Sequence, residues 1–404
     1  MSKTAMIPYS RHSISRRDSQ GVLKVLQSDW ITQGPAVAEF EQKLAKVCGA
    51  KYAIAVTNGT AALHLACLAL GVGSGDEVIT SPNTFLATSN SVLYCGGYPV
   101  FADIDSETLN LNPEAMKSKI SRRTKGVIPV HFAGYPCDMD RISKIARSRG
   151  LFVLEDASHA LGARYRLGAR WFCVGSCAHS DACVFSFHPV KGITTGEGGA
   201  ITTNRKDLYE ALLTLRTHGV VKRPDLFENK KLAFRTINGA KQAASWYYEM
   251  QTLGFNYRIT DFQCMLGVSQ LSRLPQFIKR RRQIAKFYDQ IFGRLDLLET
   301  PREKENVESA YHLYVIRLRL EKLSVGRAEI FEELRERGLG VQVHYIPVHL
   351  QPFYRKMGYR SGDFPEAEAY YERAISIPIY PALKMAQVRE VARKVIKVLK
   401  SHAI

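Results

Sequence analysis

The sequence predicts an α/β protein whose main body is a mostly parallel sheet sandwiched by helices, followed by a smaller α+β unit. Three observations carry this. Short apolar strands alternate with helical stretches from residue 36 to about 220, the pattern of a parallel sheet with helices on both faces. Beyond about 276 the alternation gives way to long helical stretches around isolated strands. At 404 residues the chain exceeds one ordinary core. The expected division is an arm and short helix over 1–35, a large domain over 36–275 and a small domain over 276–404.

Taken in order, an N-terminal arm carrying Tyr9 leads into a short helix from about Arg16 to Ser28, then Trp30-Ile31-Thr32-Gln33-Gly34-Pro35. An amphipathic helix is expected over Val37–Cys48, a strand over Tyr52–Val56 and a helix over Ala61–Leu70. Strand Glu77–Thr80, helix Leu86–Cys95, strand Val100–Ile104 and helix Pro113–Ile120 follow. Strand Gly126–His131, helix Met139–Ser148 and strand Leu151–Glu155 complete the regular series. Two further buried strands, Val184–Phe187 and Ala200–Thr203, bracket a loop. A long amphipathic helix from Asp261 runs through Arg273, with Pro275 near its bend or restart and a helix Gln276–Phe292 beyond. Strand His312–Leu318, helix Arg327–Arg337 and helix Met385–Ser401 make up the small unit.

Composition narrows the class. Hydrophobic residues at 46% and charged residues at 23% are ordinary for a globular protein. Met1 to Asp18 is basic without an apolar core of signal-peptide type, and no apolar run reaches membrane length, so the cytoplasm is expected. The eight cysteines lie in apolar segments, as reduced core thiols do. Cys173, Cys177, His179 and Cys183 match no paired zinc-ligand spacing, and no metal is expected. The net charge of +18 permits nucleic-acid binding, but the basic residues are spread out and lack an interleaved stacking platform. An anionic small substrate suits that surface equally, and no nucleic-acid partner is expected.

In a parallel sheet, ligands gather beyond the carboxyl ends of the strands. The most constrained such point is the loop Phe187-His188-Pro189-Val190-Lys191-Gly192. Pro189 removes a ladder donor, and Gly196, Gly198 and Gly199 follow before the next strand. A lysine held between two buried strands is placed to form an imine with an aldehyde cofactor. After strand Tyr52–Val56, Thr57-Asn58-Gly59-Thr60-Ala61 opens a helix, whose free N–H groups suit a phosphate. Asp156, just past another strand, could be a helix cap or could face a cofactor. Phe85 suits a core as well as it suits a ligand.

Together, Ser-Phe-His-Pro-Val-Lys, Ile-Thr-Thr-Gly-Glu-Gly-Gly-Ala and Glu-Asp-Ala-Ser-His-Ala resemble the DegT/DnrJ/EryC1 sugar aminotransferases, pyridoxal phosphate enzymes of fold type I. The likeness extends over nearly the whole chain, with one departure, Gly192, where that family usually has Asn. The resemblance implies that Lys191 is the Schiff-base lysine and that Asp156 faces the pyridine nitrogen. It implies Thr60, Ala61 and Ser186 around the cofactor phosphate, Phe85 stacked on the ring, and His159 touching the cofactor. Asn256 would reach the phosphate in the neighbouring subunit of a homodimer with shared sites. Tyr9, Thr32, Gln33, Tyr311, His312, Tyr314 and His349 fall in segments that face substrate in the family, and Asn256 is a further candidate there. The arm Ile7–Arg11 and Trp246–Met250 are most similar to the pseudaminic-acid branch. That likeness implies L-glutamate as donor and C4 of a UDP-linked 4-keto-6-deoxy-N-acetylhexosamine as acceptor.

Overall fold

The computed structural model describes residues 6–404. Its centre is a seven-stranded sheet of β1 (Tyr52–Val56), β2 (Glu77–Thr80), β3 (Tyr98–Phe101), β4 (Thr124–Ile128), β5 (Phe152–Asp156), β6 (Ala182–Ser186) and β7 (Gly199–Thr203). The spatial order is β1-β7-β6-β5-β4-β2-β3. Only β7 is antiparallel, to both of its neighbours. The carboxyl ends of β1, β5 and β6 therefore share one edge with the start of β7.

The strands read as continuous apolar runs because both faces are buried. Ala53, Ala55, Ile79, Val127, Val153, Cys183, Phe185 and Ala200 belong to one core, while Ile54, Val56, Val78, Ile128, Leu154, Val184 and Ile201 belong to the other. That alternation is the two-residue period of a strand. Helix Pro35–Cys48 packs on the first face through Phe40 and Leu44. Helix Gly59–Ala69 packs on the second through Ala62, Leu63 and Leu65. Several strands begin or end one to three residues away from where their apolar letters suggest, because the ladder ends where backbone pairing ends and not where hydrophobicity does.

The helix restart expected at Pro275 does not occur. One helix runs from Asp261 to Phe292, 32 residues with Pro275 inside it. Proline leaves one carbonyl without its helical donor, a loss of about 3 kcal/mol. Burial on both sides outweighs it: Leu271, Leu274 and Phe277 lie in the main core, and Ile284, Ala285, Tyr288 and Phe292 in the core of the C-terminal unit. There the helix packs on a three-stranded antiparallel sheet, Leu298–Glu299, Tyr314–Leu318 and Ala374–Ile377, and on helix Met385–Ser401. The N-terminal arm is tied to the same unit, with Ile7 pairing to Leu339 and the Ile379 amide donating to the Tyr9 carbonyl at 3.1 Å. Two hairpins the periodicity does not reveal, Arg164–Leu167 with Arg170–Cys173 and Phe234–Ile237 with Ala240–Ala243, stand off the main sheet. Among the described residues no helix is long and apolar enough to cross a membrane, and all eight cysteines are free thiols.

Candidate active site

A cleft of about 780 Å³ opens along the shared edge of the sheet, closed on the far side by the C-terminal unit. Three loops build its floor. The turn after β1 is capped by Asn58, whose side chain accepts from the Ala61 amide at 2.8 Å. That capping takes up the Ala61 N–H, leaving the first-turn amides of Gly59 and Thr60 without helical acceptors. Ser186, at the end of β6, comes so close that a Cβ on Gly59 would lie 3.3 Å from its hydroxyl oxygen. Backbone donors, a hydroxyl and a helix N-terminus thus converge on one point, as a phosphate requires.

Asp156 ends β5 and is buried. Its Oδ2 accepts from Thr88 Oγ1 at 2.7 Å, and its Oδ1 accepts from the Ser158 hydroxyl at 2.6 Å and amide at 3.1 Å. Because Thr88 donates to Asp156, Thr84 must donate to Thr88, across 2.7 Å. This chain of hydroxyls fixes the carboxylate, and Asp156 borders the cleft.

Lys191 lies on the loop between β6 and β7, its amide bonded to the His188 carbonyl at 2.9 Å. Burial disfavours the ammonium and lowers its pKa to about 8, with Asp156 opposing in part. Gly196, at a φ of 82°, turns the loop back toward β7. Above the amine sit three imidazoles. His159 Nε2 is 3.0 Å from the Tyr345 hydroxyl, and its ring centroid is 4.4 Å from that of His312. His344 pairs through Nδ1 with Ser376 at 2.8 Å and faces Tyr9, ring centroids 5.6 Å apart. Burial lowers the pKa of all three, that of His344 to about 4, with Lys191 adding to each shift. The cleft thus holds neutral imidazoles beside a lysine poised to lose its proton.

Of the residues singled out in the sequence, Tyr9, Thr60, Ala61, Phe85, Asp156, His159, Ser186, Lys191 and His312 border this one cleft. Others lie elsewhere. Tyr314 is fully buried in the C-terminal core, its hydroxyl bonded to Asp289 at 2.6 Å. Tyr311 is packed into that same core. His349 is buried against Phe364 and bonded to Glu368 at 2.9 Å. Thr32 and Gln33 are exposed on a turn that Asp261 anchors by accepting from the Gly34 and Ala36 amides at 2.8 and 2.9 Å. Asn256 is exposed and pairs with Thr217, outside this chain's own cleft. Conversely, Thr88, Tyr257, His344 and Tyr345 border the cleft without having been picked out. His344 and Tyr345 lie in the segment that sequence reasoning marked through His349, so the segment carried a signal and the residue choice did not.

An amine, a hydrogen-bonded carboxylate opposite it and a phosphate cradle on one edge suit pyridoxal phosphate, and similarity to known proteins agrees. The profile of the DegT/DnrJ/EryC1/StrS aminotransferase family matches residues 12–396. An uncharacterized protein of Methanocaldococcus jannaschii, MJ1066, is 42% identical over 403 residues, covering 100% of both chains. The spore coat polysaccharide biosynthesis protein SpsC of Bacillus subtilis is 41% identical over 396 residues, 98% of this chain and 97% of SpsC. Among solved structures, Helicobacter pylori PseC, an aminotransferase of pseudaminic acid biosynthesis, superposes with a TM-score of 0.87 at 31% identity, over 98% of this chain and 100% of PseC. Spr1654 of Streptococcus pneumoniae, solved in its pyridoxamine-phosphate form, reaches 0.87 at 30% identity over 98% of this chain and 99% of that one. Geometry and similarity meet on one conclusion: this chain belongs to the DegT/DnrJ/EryC1/StrS aminotransferase family and is a pyridoxal-phosphate-dependent transaminase acting on sugars.

Proposed function

We propose that this enzyme carries an amino group from L-glutamate to C4 of a UDP-linked 4-keto-6-deoxy-N-acetylhexosamine, the reaction type of pseudaminic acid biosynthesis. The observation that carries this reading is the match to PseC along 98% of the chain. When bound, pyridoxal phosphate supplies an aldehyde for amine attachment and an electron sink for the carbanion. Lys191 holds it covalently. As a free amine, Lys191 would move the proton from the donor α-carbon to the cofactor's C4′ and, in the second half, from C4′ to C4 of the sugar. A pKa near 8 leaves a usable share of neutral amine at physiological pH. Asp156, oriented by Thr88 and Ser158, would keep the pyridine nitrogen protonated. Gly59, Thr60 and Ser186 would hold the phosphate, and Phe85, which borders the same cleft, would lie against the ring. Tyr9 and His312 face the sugar.

The same reading makes the enzyme a cytoplasmic homodimer in which Asn256 serves the partner's phosphate. The segment before Asn256 supports an interface: Trp246, Tyr248, Met250 and Leu253 are all more than half exposed, the last at 75%. A second reading, an aminosugar made on another nucleotide and destined for a polysaccharide, draws on the 41% identity to SpsC. A panel assay separates them. The pyridoxamine form is mixed with UDP- and dTDP-linked 4-keto sugars, and the return of pyridoxal absorbance is followed. Conversion by the UDP-linked N-acetyl sugar is expected; a response confined to dTDP sugars would overturn the first reading.

A further inference from the structure

Arg281 is a cation where none is expected. It lies on the helix Asp261–Phe292, is 2% exposed, and forms no ion pair with any carboxylate among the described residues. Its neighbours on the helix behave differently: Arg282 pairs with Glu303 at 2.7 Å, and Arg280 reaches the Leu383 carbonyl at the rim. Burying an unpaired guanidinium is costly unless its donors are well used. Nη1 of Arg281 shares its two hydrogens among three backbone carbonyls, Tyr311 at 3.2 Å, His312 at 3.1 Å and Ile379 at 2.9 Å, while its Nε is buried without a partner among the described residues.

Two of those carbonyls belong to a strained turn. Tyr311 has a φ of 46°, a conformation rare for an aromatic residue. The flanking amides are held from the opposite side, Ala310 by the Gly134 carbonyl at 2.9 Å and Leu313 by the Ala133 carbonyl at 3.2 Å. His312 is thus clamped between the main sheet's loops and Arg281. Its side chain is the one that enters the cleft and meets His159, which in turn meets Tyr345.

We propose that Arg281, which touches neither cofactor nor substrate, is a positioning residue for transamination: it holds the Tyr311–His312 turn so that His312 seats His159 and Tyr345 over Lys191. The groups facing His312 are His159, Lys191, His344 and Arg281, all bases, with Tyr345 beyond His159. Burial is the largest cause of the lowered His312 pKa, with His159, Lys191 and then Arg281 adding to it. Removing the Arg281 charge therefore makes protonation of His312 easier, and the acidic limb of the rate profile and the pH midpoint of the bound cofactor's visible spectrum are both expected to move upward. Losing the three-carbonyl grip lets the turn relax, which lowers kcat and leaves KM for the donor in place.

The test uses the holoenzyme and two variants. Arg281→Lys keeps charge without the guanidinium's reach; Arg281→Met removes both. Each is expected to lose roughly ten- to a hundredfold in kcat with L-glutamate, the scale of an ångström misplacement near the chemistry. Only Arg281→Met should shift the acidic limb and the spectral midpoint upward. In a His312→Asn background, Arg281→Lys should cause no further loss, since its effect runs through His312. Additive losses in that cycle, or an unshifted profile in a folded Arg281→Met, would overturn the proposal. If Arg281→Met does not fold, the cycle with Arg281→Lys decides alone. The inference rests on the transaminase assignment and not on the sugar. If the wild type shows no half-reaction with L-glutamate, the donor is at fault, and the spectral titration, which needs no donor, still judges Arg281.

Discussion

The phosphate cradle depends on two pieces of backbone meeting at Gly199, so Gly199→Ala probes it directly. Gly199 opens β7, paired with Val56 on one side and Ser186 on the other. A Cβ there would lie 2.4 Å from the Asn58 carbonyl oxygen, 2.5 Å from its carbon and 2.7 Å from the Gly59 nitrogen. Ordinary contact between such atoms is about 3.5 Å, so strand and loop must part by roughly 1 Å. All three atoms are backbone, so no side-chain rotation relieves the clash. Overpacking of this kind costs about 1–3 kcal/mol. Expressed wholly in cofactor affinity, that range is a ~5- to ~140-fold rise in Kd, at about 1.4 kcal/mol per tenfold. Pyridoxal phosphate titration of the apoenzyme by absorbance reads this, with the apoenzyme Tm showing any share paid in folding. Gly192→Asn is the control: its Cβ would meet only Leu161, at 3.7 and 3.8 Å, so the residue usual in the family should fit with little effect on Kd. A Gly199→Ala enzyme within twofold of wild type in Kd and unchanged in Tm would show that this close approach does not build the cradle.

Other expectations concern the chemistry. Borohydride reduction of the holoenzyme followed by peptide mapping should place the cofactor on Lys191; label on another lysine would remove Lys191 from the mechanism. Because burial disfavours the ammonium, the reactive neutral amine forms as pH rises through about 8, so the rate of cofactor attachment to the apoenzyme should climb through that pH and level off above it. A rate still climbing past pH 10 would mark an ordinary, solvated lysine. Asp156→Asn should keep the cofactor and lose about a hundredfold or more in turnover, the scale of removing one electrostatic partner; near-normal turnover would reduce Asp156 to an acceptor for Thr88 and Ser158. Co-refolded Lys191→Ala and Asn256→Ala subunits should recover activity, because a mixed dimer with shared sites has one intact site. If Asn256→Ala alone is inactive and the mixture stays as inactive as its parents, Asn256 serves its own chain.

Which residues were legible in the sequence follows from how each is placed. Asp156 closes a strand, and Lys191 and Thr60 stand just past strand ends, where Pro, Gly and strand-to-helix transitions mark the backbone locally. One stretch of letters suffices for such positions. Tyr314 and His349 were misplaced because the likeness marked whole segments as facing substrate and not which side chain of each segment turns into the cleft. Two residues apart on a strand, His312 and Tyr314 would share a face, yet the strand begins only at Tyr314 and the turn at Tyr311 rotates His312 away from it. The result is one side chain in the cleft and the other in the core. His349 sits on a short 3-10 turn, Val348–Leu350, that packs it against Phe364 and Glu368 and away from the cleft. Thr88 was invisible for another reason: it matters only because it meets Asp156, 68 positions away. Arg281 was hidden most completely, since Arg280-Arg281-Arg282 reads as a solvated basic run. Only the fold shows that the middle residue faces inward, where helical periodicity places it on the stripe with Leu274, Phe277 and Ile284, and where it bonds the carbonyls of Tyr311, His312 and Ile379.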